Sequence, residues 1–411
     1  MWKIIILCSV LGLVAAEQAT FENFKVFRVA TTTKEQVDSL NQLTYDSSDG
    51  FNFWKLPSLN KQAEIMVAPH KLPEFYEIMT KLQTPHELYI KNVQELIDQE
   101  EPATAAIGFN FRAYHPLESI YKNLDDLASQ YPDKVKVVVG GKSYEGRPIK
   151  GVKVSFKANN PGIFLEGGIH AREWISPATV MYILDQLLTS RDSEIRDLAE
   201  RHDWYIFPSF NPDGYVYTHT RNRMWRKTRQ PYGIFCYGSD PNRNWDYQWN
   251  VVGASNSPCS ETFAGSAPFS EIETKSMSEY IRSISKNIYA YIAFHSYSQL
   301  LMTPYGHTEE HLDNYNDLKA IGLKSVAALK KRYGTQYQVG NIAEIIYPAS
   351  GGSMDWVKGT FGIPIAYTYE LRDQGNYGFV LPPSQIIPTG EETLDSLVAM
   401  FKGAKELGYP K

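Results

Sequence analysis

The chain has 411 residues, with 41 Lys and Arg against 46 Asp and Glu, a formal net charge of −5 and a pI near 6.0. That balance excludes a general electrostatic pull toward nucleic acid or an anionic membrane, and 28 Gly with 23 Pro are too few for a low-complexity chain. The length suits one large domain joined to a smaller one better than a single core.

Residues 1–16 stand apart from the rest. Lys3 precedes the apolar run Ile4 to Leu13, and Val14-Ala15-Ala16 comes next. A basic start, a short apolar stretch and small residues predict a secretory signal peptide cut after Ala16. The run is too short to span a bilayer, and no other segment approaches the needed length. The expected product is soluble, secreted and extracellular. Once Cys8 leaves with the signal, Cys236 and Cys259 remain as an even pair. An oxidising compartment then predicts a disulfide between them, contributing about 3 kcal/mol in the chain-entropy account.

From Glu17 to about Pro102 the pattern is that of a small α+β unit. Phe24 to Val29 alternates as a strand does, Lys34 to Leu43 has helical spacing, and Gly50 to Trp54 and Ala63 to Val67 are strand-like. Pro73 to Thr80 is a second helix with Pro in its first turn. This order fits an open antiparallel sandwich. Val93 to Ala106 carries Glu95, Asp98, Glu100 and Glu101 at helical spacing, which predicts a connecting helix that runs into a linker.

Beyond about Ala106, helices and apolar strands alternate, the mark of a mixed, mostly parallel α/β sheet. Leu117 to Tyr131 is a helix, and Val135 to Val139, Lys150 to Val154 and Ile163 to Leu165 are strands. Ser176 to Thr189 is apolar enough to be buried on more than one face. Trp204 to Phe207, Ile288 to Phe294 and Pro364 to Tyr369 are further strands, and no internal repeat is visible.

The chemistry concentrates at the ends of these strands. Glu166-Gly167-Gly168 breaks the strand Ile163 to Leu165 just before His170-Ala171-Arg172-Glu173, and His295 comes directly after the strand that ends at Phe294. Open α/β sheets place their sites at such strand ends. Two His and one carboxylate fill three positions around a catalytic zinc and leave a fourth open; the competing reading is a pair of structurally satisfied histidines. Glu370 closes another strand and is either a solvated edge charge or a general base. Arg226 lies in a basic run interleaved with aromatics, open to both a solvated face and an anion site. In Asn242-Arg243 a guanidinium beside an amide suits bidentate capture of a carboxylate.

Taken together, five segments resemble the pancreatic-type zinc metallocarboxypeptidases, of carboxypeptidase A/B type. They are Gly168 to Ile175, Pro241 to Asn244, His295-Ser296-Tyr297, Tyr347 to Ser353 and Glu370-Leu371-Arg372, in the family's order. The N-terminal unit is similar to the family's inhibitory activation segment. The resemblance implies an eight-stranded-type sheet flanked by helices, with an activation segment over 17–108 and a catalytic domain over 109–411. It implies one zinc per chain on His170, Glu173 and His295, with Asp240 accepting from His170. Glu370 is the implied general base and Arg226 the group that stabilises the oxyanion. Asn242 and Arg243 would hold the free C-terminal carboxylate, Arg172 would guide it, Tyr347 would act as a lid, and Ser296 and Tyr297 would face the substrate.

In this family the residue two after the double glycine sets specificity, and here it is Met354, with Met302, Gly306, Ile342, Ile346 and Thr368 around it. An uncharged pocket implies hydrophobic or aromatic C-terminal residues. The implied partners are peptide or protein C-termini, the chain's own activation segment as intramolecular inhibitor, and an activating protease. A monomer is expected, with no nucleic acid or membrane bound. One departure concerns activation, because no Lys or Arg lies between Lys91 and Arg112. Either a non-tryptic protease cuts between about Glu101 and Gly108, or the cut falls at Lys91. Two other functions compete: a non-catalytic binding protein on the same fold, and a zinc deacylase of small N-acyl amino acids.

Overall fold

Alternation in the N-terminal sequence becomes a four-stranded antiparallel sheet. The computed structural model describes residues 18–45, 50–100 and 108–410; the expected signal peptide lies outside them. Strands β1 (Lys25–Thr31), β2 (Phe51–Lys55), β3 (Lys61–Val67) and β4 (His86–Ile90) pair in the order β2-β3-β1-β4. Phe27, Val29, Phe51, Phe53, Ile65 and Val67 point to one face and pack with Leu40, Phe75 and Met79 of the helices Lys34–Gln42 and Leu72–Lys81. The first helix starts on a capping box, in which Thr33 and Gln36 each satisfy the other's backbone N–H.

The opposite face of this sheet is not wet. Val26, Trp54, Met66 and Ile90 pack against Met224, Tyr297, Phe379 and Val380 of the large domain. A register shift between Phe53 and Lys55 makes this possible, since Phe53 pairs with Ile65 but Lys55 pairs with Glu64. One extra residue in a strand re-aims the side chains beyond it. Trp54 and Lys55 therefore both face the large domain, where strict alternation would have turned Lys55 back to the helices. Of the expected connecting helix over Val93 to Ala106, the described part holds a helix over Val93–Ile97, followed at 98–100 by a turn and bend that carry Glu100 inward. Residues 101–107 lie outside the described part. Glu100 makes a bidentate pair with Arg223 (2.6 and 2.7 Å), and both side chains are 2% exposed.

The large domain begins with the helix Leu117–Gln130 and the hairpin β5 (Val135–Lys142) and β6 (Pro148–Val154). It continues with β7 (Gly162–Gly167), β8 (Asp203–Phe207), the small hairpin β9 (Pro231–Tyr232) and β10 (Cys236–Tyr237), β11 (Ile288–Ser296), β12 (Leu300–Thr303), β13 (Gln338–Asn341) and β14 (Ile365–Leu371). Eight of these form one sheet in the order β13-β12-β14-β11-β7-β8-β6-β5. The pairs β13/β12, β14/β11, β11/β7 and β7/β8 are parallel, and β12/β14, β8/β6 and β6/β5 are antiparallel.

Helices Ile175–Thr189, Tyr315–Tyr333 and Ile386–Glu406 cover one face, over Ile163, Leu165, Ile292, Phe294, Tyr367 and Tyr369. Ile272–Ile284 and Ser353–Phe361 cover the other, over Phe164, Phe207, Tyr291 and Ala293. β7 and β11 are buried along their whole length, as expected of central strands between two helical layers. Cys236 and Cys259 are bonded, with Cα atoms 4.9 Å apart. Among the described residues no helix is long and apolar enough to cross a membrane.

Candidate metal centre and substrate cleft

Three neighbouring central strands bring the site together. β7 does not break at Glu166 as its glycines suggest. It runs through Gly167, and Glu166 is a buried strand residue whose Oε1 accepts from the Ser353 hydroxyl at 2.8 Å. Gly168 then takes φ +67°, where a Cβ would meet the Pro208 carbonyl at 3.1 Å, and this turn delivers His170 and Glu173. His295 and Glu370 belong to their strands rather than trailing them, and the parallel register of β11 and β14 sets them side by side.

His170, Glu173 and His295 are buried and present one ligand atom each within 4.8 Å of one another. His170 Nδ1 lies 2.7 Å from Glu173 Oε1 and 3.1 Å from His295 Nδ1. Ligand atoms on one tetrahedral zinc stand about 3.3 Å apart, given Zn–N bonds of about 2.0 Å. Two imidazole nitrogens turned toward each other beside a carboxylate form a donor set suited to a cation, so zinc fits these residues. The surrounding atoms fix the orientation. The Ser296 N–H donates to Glu173 Oε2 (3.2 Å), and Asp240 Oδ1 meets His170 Nε2 (3.1 Å), the arrangement that orients a ligating histidine. Asp240 Oδ2 accepts from Arg226 Nη2 (2.8 Å) and Nε (3.2 Å).

These contacts set the charges. Burial alone would raise Glu173 and Asp240, but the flanking imidazoles for Glu173, and Arg226 with Arg243 for Asp240, hold both carboxyls well below their usual range. Burial, aided by Arg226, lowers His170, against the pull of Glu173 and Asp240. Glu370 differs: burial and the nearby Glu173 charge outweigh His295, and its carboxyl is pushed up to about 8. A carboxylate with raised affinity for protons beside a metal site is equipped to act as a base.

A cleft of about 770 Å³ joins this centre to a side pocket. Arg226, Asn242, Arg243, Ser296, Tyr297, Tyr347, Met354 and Glu370 all line it, as do Met302, Gly306, Ile342, Ile346 and Thr368. Asn242 Oδ1 accepts the Ser353 N–H (3.0 Å). Arg243 is 3% exposed, and its Nη2 is buried without a partner, while Nε and Nη1 are held by the carbonyls of Gly253 and Asn242. An unpaired guanidinium N–H at the end of a cleft is a ready site for a carboxylate. Thr368 Oγ1 donates to Met354 Sδ (3.4 Å), and Asp355, which also lines the cleft, accepts from the Gly306 N–H (2.8 Å) and meets His307 Nδ1 (3.3 Å). Met354 itself presents an uncharged thioether to the pocket.

Arg172 lies outside the lining. It is 1% exposed, stacks over Phe379 at 4.2 Å and donates to Asn52 Oδ1 of β2 (2.9 Å) and toward Glu261 (3.3 Å). Residues not anticipated from sequence also line the cleft: Trp54 and Lys55 from the N-terminal sheet, with Phe379 and Ser298 from the large domain. Glu64 stands behind them, accepting from the Tyr297 hydroxyl and from Lys55 Nζ (3.2 Å). The alternation of β2 gives no sign of this, because the bulge at Trp54 is set by pairing with β3.

A mixed α/β sheet whose adjacent strand ends carry two imidazoles and a carboxylate to one point, beside a buried base and a carboxylate-sized anchor, defines a metal-dependent hydrolase. The chain belongs to the zinc carboxypeptidase family: that family's profile matches residues 120–396, and the carboxypeptidase activation peptide profile matches residues 27–100. Zinc carboxypeptidase A 1 of Anopheles gambiae is 50% identical over 411 residues, covering 98% of this chain and 95% of the relative. Carboxypeptidase B of Astacus astacus is 46% identical over 300 residues, covering 72% of this chain and 99% of the relative. Among solved structures, carboxypeptidase A from Helicoverpa armigera superposes with a TM-score of 0.85 at 28% identity, covering 95% of this chain and 100% of that one. This is a zinc metallocarboxypeptidase that carries an activation peptide domain.

Proposed function

We propose that the protein is a secreted zymogen that removes hydrophobic or aromatic residues from peptide C-termini. Relatives named both A and B exist, so the reading of specificity rests on the pocket, where Met354 stands uncharged and the Asp355 carboxylate in the lining is engaged by the Gly306 N–H and His307. A Lys or Arg side chain bound there would leave its charge buried and unpaired, at a cost of several kcal/mol. Arg243 Nη2, with Asn242, anchors the terminal carboxylate and so makes the enzyme an exopeptidase.

His170, Glu173 and His295 would hold zinc, which when bound supplies a Lewis acid that polarises the scissile carbonyl and acidifies water. Glu370 takes the proton of the attacking water and returns it to the leaving amine. Arg226, oriented by Asp240, donates to the developing oxyanion. Tyr347 closes over the bound residue, and Arg172, freed from Asn52, faces the incoming chain. We place the segment boundaries at 1–16, 17–108 and 109–411, and take the protein as a monomer activated by an external protease. An N-terminus between 101 and 109 on the active form supports the non-tryptic cut; one at Asn92 supports Lys91.

The test is release of the terminal residue from matched peptides ending in Phe, Leu, Lys and Glu, by the processed protein with and without a zinc chelator. Chelator-sensitive release of Phe or Leu is expected. Faster release of Lys overturns the pocket reading, and no release from a zinc-loaded, processed sample favours a binding protein.

A further inference from the structure

The hairpin formed by β2 and β3 reaches past the mouth of the cleft to its side wall. Lys61, the first residue of β3, extends Nζ to the backbone oxygens of Glu344 (2.7 Å) and Ile346 (3.0 Å). These two carbonyls sit at the C-terminal end of the short helix Ile342–Ile345, directly before Tyr347. A helix end leaves its last carbonyls unsatisfied, and a cation there is stabilising. The Glu344 carboxylate is turned to His311 (2.8 Å), so Lys61 holds main chain rather than a side chain.

The loop it holds has two roles. Ile342 and Ile346 form part of the wall of the side pocket, and Tyr347 lines the cleft. Its far end is fixed where the Ala349 N–H donates to the Gly306 carbonyl (2.7 Å), and Gly306 is itself in the pocket. Main chain between those two points is the part that would move if Tyr347 closes.

We propose that Lys61 clamps the Tyr347 loop in the latent protein, so that the activation segment restrains the pocket wall as well as covering the cleft. This rests on the carboxypeptidase reading of that cleft. Loss of the segment uncaps the helix end and frees the loop to fold onto a bound substrate.

The experiment uses the uncleaved full chain carrying Lys61→Met or, as the conservative control, Lys61→Arg. Amide hydrogen exchange reads the clamp directly, because the Ile346 N–H donates to Ile342 and the Ala349 N–H to Gly306. Expected is several-fold faster exchange at 346 and 349 in Lys61→Met, near wild-type exchange in Lys61→Arg, and no change at Thr228, whose N–H donates to Ser239. Hydrolysis of a blocked dipeptide is measured alongside. Uncleaved Lys61→Met should turn over a few-fold faster than the uncleaved wild type, and the two should match once the segment has been removed. Unchanged exchange at 346 and 349 overturns the proposal, as does uniform acceleration across the whole contact, which would mean that the segment has merely loosened. Inactive cleaved wild type would instead sink the carboxypeptidase reading and leave the exchange result standing.

Discussion

The two sheets of this molecule cover their faces by different means. In the large sheet, β7 and β11 are enclosed by helices of their own domain on both sides, and the residues at their ends are fixed by strand register and by buried partners. The small sheet covers only one face with its own helices. Its other face, with Val26, Trp54, Met66 and Ile90, is covered by the large domain. The first arrangement fixes the centre by contacts within the large domain, and the second leaves the small sheet as a cover whose second apolar face is shared with that domain. Latency and catalysis are therefore separable by mutation.

The largest expected effects fall on the centre. Glu370→Gln should lower kcat/KM by roughly 10²–10⁴-fold while leaving the thermal midpoint of the zymogen the same or higher, since it replaces a buried carboxyl whose ionisation burial disfavours with a neutral amide of the same shape. Activity within tenfold of wild type would show that the base lies elsewhere. Arg243→Ala removes the anchor with the unpaired N–H. A charged hydrogen bond is worth about 1.5–3 kcal/mol, so kcat/KM on peptides should fall by roughly 10–150-fold, with little loss on C-terminally amidated peptides, which are already poor substrates. Met354→Asp should invert the preference between Phe and Lys termini; unchanged preference would show that the pocket floor has been misplaced.

A group remote from the cleft sharpens the comparison through stability. Glu273 is fully buried beside Glu271 and Asp213, accepts the Tyr144 N–H (2.9 Å) through Oε1, and has no partner on Oε2. Burial pushes its carboxyl up to about 8. A folded-state value above the unfolded one means that the folded protein binds the proton more tightly. Its stabilising contribution is therefore complete below pH of about 4.5 and is lost as pH rises through about 8. Glu273→Gln should remove that loss, so the unfolding free energies of variant and wild type from urea titration should diverge between pH 5 and pH 8, by at most about 5 kcal/mol. The smallest effect belongs to the cover: Trp54→Ala should raise the latent activity of the uncleaved chain a few-fold and leave the processed enzyme unaltered.

Legibility in the sequence divides along the same line. His170, Glu173, His295 and Glu370 can be placed because each sits on or just after a short apolar run, and buried parallel strands announce themselves that way. Three strands of the activation unit are legible from the sequence, whereas β4, exposed over its first three residues, shows no alternation to place it. The long helices Tyr315–Tyr333 and Ile386–Glu406 are not, and the second carries Pro388, Gly390 and Gly403. Packing explains one of these choices: a Cβ at Gly390 would strike the Tyr182 ring at 2.5 Å. The place of Arg172 outside the cleft is hidden because it depends on Asn52 and Phe379, far away in sequence. Lys55 is hidden because a β-bulge in β2, invisible to periodicity, turns it onto the face that carries Glu64.

The pair between Glu100 and Arg223 has one more consequence. Glu100 precedes the 101–107 stretch, so a cut within that stretch alters the chain's connectivity and leaves the pair, the Trp54 contact and the Lys61 contacts untouched. The severed segment is then a bound ligand, and its departure obeys mass action. Nicking and awakening become two events separated by a dissociation constant. A nicked sample held concentrated should stay quiet, and the same sample diluted should gain specific activity with time.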